Sequence, residues 1–222
     1  MIGPEPEKEL SPLVTILGEY QIINSEYEAL QRLASDNYVD LDNVLGGIRH
    51  VEDGRIITLA IESMDLADIK QLVHLSELKN LLLDSNKIKD ISSLSALSKL
   101  VAISLEKNQI EDISALAELT SLKGLNLRFN QIKEISPIHK LANLEVLLLG
   151  HNKIEDLSVV VGFEKLVGLD ICYNEVGSIA PLLELNNLEQ AWLAYNPFSK
   201  VADMETHIIA LENRGVTLFG VL

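Results

Sequence analysis

Asp170, Cys172 and Tyr173 fall within "LDICYNEV" (169–176), and His151 stands twenty-one positions before the cysteine. A cysteine beside a histidine is the raw material of a thiolate nucleophile. That chemistry needs hydrogen-bond reach between the two and a group of donors for the oxyanion. The same residue types ligate metals, but a single cysteine excludes a Cys-based zinc cluster, an iron–sulfur site and an internal disulfide framework. The chain contains no HExxH, GxGxxG, phosphate-binding GxxxxGK or calcium-loop pattern. Whether Cys172 and His151 can meet therefore depends on the elements that carry them.

Those elements repeat. "LKNLLLDSNKIKDISSLSALSK" (78–99), "LVAISLEKNQIEDISALAELTS" (100–121) and "LKGLNLRFNQIKEISPIHKLAN" (122–143) align without a gap. "LEVLLLGHNKIEDLSVVVGFEK" (144–165) and "LVGLDICYNEVGSIAPLLELNN" (166–187) continue the frame. Residues 56–77 fit it with Met64 in place of the shared Asn, and "LEQAWLAYNPF" (188–198) begins a seventh copy and departs. Periods of this length mark stacked repeats.

The pattern L-x-x-L-x-L-x-x-N-x-I-x-D-I resembles the leucine-rich repeat, and its 22-residue length with "DIS" after the Asn resembles the bacterial internalin-like type. The resemblance covers about residues 56–198. It implies an α/β leucine-rich repeat solenoid: a right-handed curved superhelix with a parallel β-sheet on its concave face, short 3-10 or loop segments on the convex face, and helical caps.

Elementary chemistry points the same way. Side chains alternate along a strand, so in each "LxL" the two apolar residues turn inward and the residue between them outward. One coil cannot bury its own leucines, whereas stacked neighbours can. Asn86, Asn108, Asn130, Asn152, Asn174 and Asn196 stand once per coil, where an amide that donates and accepts can satisfy an inward turn. Ser92, Ser114, Ser136 and Ser158 are expected to cap the convex turns, with Asp68, Asp90, Asp112, Glu134 and Asp156 structural beside them.

The expected organisation is a loose tail over 1–11, an N-terminal cap over 12–55, about seven repeats over 56–198, and a C-terminal cap of helix plus strand over 199–222. Ser25 and Glu28 have capping-box spacing, with Tyr27, Leu30 and Leu33 on one helical face. "LDNVLGGI" and "EDGRIITL" lead into the first strand. Val201, Met204, Ile208 and Leu211 form one stripe, and Gly215 stands where a helix-ending residue belongs.

Within this frame Leu169, Ile171, Asn174 and Val176 are packing positions, and only the letters between them can report function. Cys172 and His151 fall on adjacent strands but in different columns, with no Gly-rich turn or helix N-terminus beside the thiol. No enzyme is expected, and no cofactor or metal.

One outward column reads Ala60, Leu82, Ser104, Asn126, Leu148, Asp170, Trp192. The next reads Glu62, Asp84, Glu106, Arg128, Gly150, Cys172, Ala194, and the rim reads Ser63, Ser85, Lys107, Phe129, His151, Tyr173, Tyr195. Only 5% of the chain is aromatic, yet Phe129, Tyr173, Tyr195 and the single Trp192 gather here. Tyr and Trp are preferred anchors in protein interfaces. Glu62, Asp84 and Glu106 set like charges on neighbouring strands, a ladder that a basic partner would offset. The expected contact set is Phe129, Leu148, His151, Asp170, Tyr173, Trp192 and Tyr195 with Glu62, Asp84, Glu106 and Arg128.

The expected function is non-catalytic binding of a protein or peptide on the concave face, basic where the acids stand. By the resemblance, internalin-like members act at bacterial surfaces on host or cell-envelope proteins. One alternative is an intracellular subunit resembling the phosphatase-regulating proteins of the same repeat class. Another is a glycan-binding module in which Tyr173, Tyr195 and Trp192 stack on sugars. A formal net charge of −15 argues against nucleic acid, and no apolar run reaches the roughly 18–20 residues of a membrane span. "MIGPEPEKEL" shows neither the basic nor the apolar region of a secretory signal, so the chain as it stands reads as cytoplasmic, or as secreted or surface-bound if it is trimmed. With both ends capped, a monomer is expected.

Overall fold

The computed structural model describes residues 14–17, 20–197 and 203–220. The proposed tail and Val201 lie outside them. Strands β1 (Val14–Leu17) and β2 (Tyr20–Ile23) pair antiparallel, and helix α1 (Asn24–Asp36) follows directly. A short helix α2 (Leu41–Leu45) leads into β3 (Ile48–Glu52) and β4 (Arg55–Ala60). Six three-residue strands succeed one another at the repeat period: β5 (Asn80–Leu82), β6 (Ala102–Ser104), β7 (Gly124–Asn126), β8 (Val146–Leu148), β9 (Gly168–Asp170) and β10 (Gln190–Trp192). Helix α3 (Met204–Asn213) and strand β11 (Thr217–Phe219) come last.

Strands β4 to β11 run parallel in sequence order, those from β4 to β10 each one repeat from the next, so Leu81, Ile103, Leu125, Leu147 and Leu169 are register partners in turn. The strand centres are buried and their flanking residues half-exposed, which is alternation on a sheet with one open face. Opposite the sheet each coil closes through a 3-10 segment, such as Ser92–Ala96 or Ser158–Gly162. Between the two walls one aliphatic core runs from Ile22 to Val216, with Phe163 as its one fully buried aromatic among the described residues.

The asparagine column is built into this core. In Asn108, Nδ2 donates to the carbonyls of Leu83 (3.0 Å) and Leu105 (3.1 Å), and Oδ1 accepts from the Ile88 amide (3.0 Å). Each asparagine thus joins its own turn to the preceding coil, and the pattern recurs from Asn86 to Asn196. The first coil has Met64 instead. Asn37, just past α1, works there in part: its Oδ1 accepts from Ala67 and Asp68, and its Nδ2 donates to Asp68 O and Leu33 O.

Three local expectations are corrected. The convex turns are capped by aspartates rather than serines: Oδ1 of Asp90, Asp112 and Asp156 accepts from the amides of Ser92, Ser114 and Ser158 at 2.8 Å. Ser178 alone takes that position with its hydroxyl, accepting from the Ala180 amide. The Ser25–Glu28 capping box does not form, because the incoming strand delivers the chain into α1 two residues earlier, with Ile23 at the N-cap and no side-chain cap. The segment before the first coil contains a further strand, β3, that hairpins onto β4 through Asp53 and Gly54, both at positive φ. Toward the other end, Gly215 does take a left-handed φ of 87°.

The caps carry a pH prediction. The Ser158 hydroxyl and amide hold the Asp156 carboxyl below its ordinary 3.8. A lowered pKa in the fold means stability that is present above 3.8 and lost as pH falls. Asp156→Ala is expected to cost about 0.5–1 kcal/mol at pH 7, since exposure keeps a cap at the low end of its range. Denaturant titrations of both proteins should show that difference shrinking below about pH 4.

Candidate functional site

In each coil the side chains that point outward between the strand leucines and the asparagine turn form the open face. Its rim is the residue just before each asparagine. Ser63, Ser85, Lys107, Phe129, His151, Tyr173 and Tyr195 all take φ between 53° and 59°, the left-handed region that non-glycine residues rarely occupy. The conformation is held by the next coil: the amides of Phe129, His151 and Tyr173 donate to Gly150 O, Cys172 O and Ala194 O at 2.8–2.9 Å. Seven identical turns project seven side chains alike.

As a result the four rings of this column form a continuous stack. Phe129 lies 3.9 Å from His151, His151 4.1 Å from Tyr173 and Tyr173 4.0 Å from Tyr195, with planes within 15° of parallel. Lys107 Nζ stands 5.4 Å from the Phe129 ring centre at one end. At the other end Tyr195 is 70% exposed. A hydrogen bond with the Tyr195 side chain pushes the Tyr173 phenol above its ordinary value. Trp192 does not join the stack; it lies 4.9 Å from Phe219 on the neighbouring strand.

Asp170 departs from expectation. It is buried, and its carboxylate bends back two coils to accept from Arg128 Nε at 2.5 Å and from the Cys172 amide. The bend passes over Gly150, where an added Cβ would come within 2.8 Å of Asp170 Oδ2. Asp170 and Arg128 therefore neutralise each other within the chain and are not a free acid and a free base. Burial, and then Asp170, push the Cys172 thiol up to about 11, the reverse of what a thiolate nucleophile requires. Among the described residues no group of three or more His, Cys, Asp or Glu is placed to hold a metal ion, and no helix is long and apolar enough to cross a membrane.

The acidic ladder is partly engaged. Asp84 Oδ1 accepts from the Ser104 hydroxyl and the Glu106 amide, while Glu106 accepts from Asn126 and lies 3.4 Å from Lys107 Nζ. Glu62 is exposed.

A third outward column, two residues earlier in each strand, was not singled out from the sequence. It reads Thr58, Asn80, Ala102, Gly124, Val146, Gly168, Gln190. Its small central members open a hollow of about 430 Å³ bounded by Leu82, Val146 and Leu148. A glycine inside a strand, as at 124 and 168, is the signal that would have found it.

Family models described as "Leucine rich repeat" and "Leucine Rich repeats (2 copies)" match residues 76–132 and 120–161. A crystal structure of internalin InlF from Listeria monocytogenes is 29% identical with TM-score 0.67, over 80% of this chain and 54% of that one. The chain is a leucine-rich repeat solenoid similar to the internalins. Internalin C2 of the same organism is 28% identical with TM-score 0.57, over 88% of this chain and 90% of that one. The leucine-rich repeat ectodomain of the Arabidopsis thaliana receptor kinase SOBIR1, 24% identical with TM-score 0.57 over 69% and 94% of the two chains, shares the fold. This chain thus spans about half of the internalin F structure. No curated protein sequence matches it. Leucine-rich repeats commonly mediate protein–protein interaction and are generally non-catalytic.

Proposed function

We propose that this internalin-like protein binds a protein or peptide partner on its concave face, through the aromatic rim and the strand faces beside it. The observation that carries the reading is the stack of Phe129, His151, Tyr173 and Tyr195, left standing at the surface of a chain whose core, Phe163 apart, is aliphatic among the described residues. Stacking supplies about 0.5–1.5 kcal/mol per pair, which stabilises the coils but leaves the ring edges and the outer face of Tyr195 available. Tyrosine offers a large contact area with few rotamers to freeze, which suits an interface anchor.

The same geometry weighs against a glycan module. Sugar recognition uses the face of a ring, and here His151 and Tyr173 have both faces against neighbours while Trp192 has one against Phe219. Nothing at the rim favours a phosphatase-regulating role in particular.

The test compares capture of partners from candidate extracts by the intact protein and by a Tyr173→Ala, Trp192→Ala, Tyr195→Ala variant of unchanged fold. A partner retained at least tenfold less by the variant supports the reading. Equal retention of every captured protein by both forms removes the concave rim from the function.

A further inference from the structure

We propose that the concave face carries a seat for an extended basic segment of the partner, with one large apolar side chain lodged over Gly124 and a lysine or arginine about five to six residues away. The inference rests on the concave-face reading and specifies its ligand.

The seat follows from three adjacent columns. At the position of Gly124 the strand has no side chain, and its neighbour Ala102 has only a methyl group, so the sheet is bare there. Leu82 stands on one side of the bare patch and Val146 and Leu148 on the other, with Val146 40% exposed. The hollow of about 430 Å³ exceeds any single side chain and is open to solvent. Apolar walls left in water gain from a large apolar guest at roughly 25 cal/mol per Å² covered.

The charge comes from the opposite ends of the same strands. Glu62 and Asp84 lie on neighbouring coils, and no cation pairs with either carboxylate among the ion pairs of the described residues. Arg128, the nearest basic residue in their column, is held by Asp170, and Lys107 leans to Glu106. The face therefore presents uncompensated negative charge beside an apolar hollow, in a chain of net charge −15. Four residues along the chain and two or three coils across separate Gly124 from Asp84 and Glu62, or about 16–20 Å. An extended chain covers that in about five to six residues. An acidic segment would be repelled, and a helix, rising 1.5 Å per residue, would need a much longer interval.

The experiment is a selection of phage-displayed random dodecapeptides on the whole protein, with selected peptides then titrated against three folded variants. Gly124→Trp fills the hollow; a Cβ there meets only Ala102 Cβ at 3.8 Å, so the backbone has no reason to move. Glu62→Lys reverses an exposed charge, and Tyr195→Ala shortens the rim. The expected peptides share an apolar anchor about five to six residues from Lys or Arg, and bind Gly124→Trp and Glu62→Lys at least tenfold more weakly. Peptides that lack this pattern and lose affinity only for Tyr195→Ala overturn the seat but leave the concave face as the binding surface. Peptides indifferent to all three variants overturn both. Failure to select any peptide overturns the seat.

Discussion

Asn130→Ala is expected to destabilise the protein by about 2–4 kcal/mol, although the side chain is small and touches no exposed surface. The Ile110 amide loses its acceptor, Asn130 Oδ1 at 3.0 Å, and is left buried. The carbonyls of Leu105 and Leu127 each lose one of two donors, since Asn108 and Asn152 still reach them. A buried donor without a partner costs about 1–3 kcal/mol, and the lost hydrogen bonds add to that. Asn143→Ala removes only exposed hydrogen bonds, one donated to Thr120 O and one accepted from Lys165 Nζ, and should cost less than about 0.5 kcal/mol. Urea denaturation of the two variants separates the cases. Similar losses in both would mean that the column is ornamental.

Glu26→Ala is expected to be as damaging or more so, about 3–5 kcal/mol, because it breaks a buried pair and strands one partner. Glu26 is fully buried on the inner face of α1, with Oε1 accepting from Arg55 Nε at 2.6 Å and Oε2 from the Ile56 amide at 2.7 Å. It ties the helix to the strand that opens the repeat array. Glu26→Gln keeps an acceptor for the amide and should cost much less. Burial raises the Glu26 carboxyl above its ordinary 4.5, against the pull of the Ile56 amide and of Arg55. A raised pKa in the fold contributes stability that is present below 4.5 and lost as pH rises through the folded value. The lead of the native protein over Glu26→Gln should therefore narrow between pH 4 and neutrality. A lead that widens over that range would place the pair's attraction above its desolvation.

The strands, the core and the asparagine turns were legible because a 22-residue period repeats each decision several times. Misreading one leucine would have broken five alignments. The rim stack was legible for the same reason, as a column of Phe129, His151, Tyr173 and Tyr195. Its left-handed backbone was not, since φ there is imposed by the coil-to-coil hydrogen bonds and leaves no mark on residue type. The Arg128–Asp170 pair escaped because it crosses two columns and two coils, and only the missing side chain at Gly150 permits it. Glu26 could have been seen: with Leu30 and Leu33 it follows the i, i+4, i+7 spacing of the buried face, where an acid signals a waiting partner. The Ala102–Gly124 hollow was also within reach, because alternation predicts a third outward residue in each strand.

The stacked rings also act as a mechanical element. Strands sit about 4.8 Å apart across a sheet, whereas the ring centres stand 3.9–4.1 Å apart. The coils from Phe129 to Tyr195 are thus drawn together along one rim and cannot fan open there without parting the rings. The coils before Lys107 carry no such brace, with serines at the same position. The array is a spring stiffened over half its length, so a partner that bends it will find the give at the acidic end.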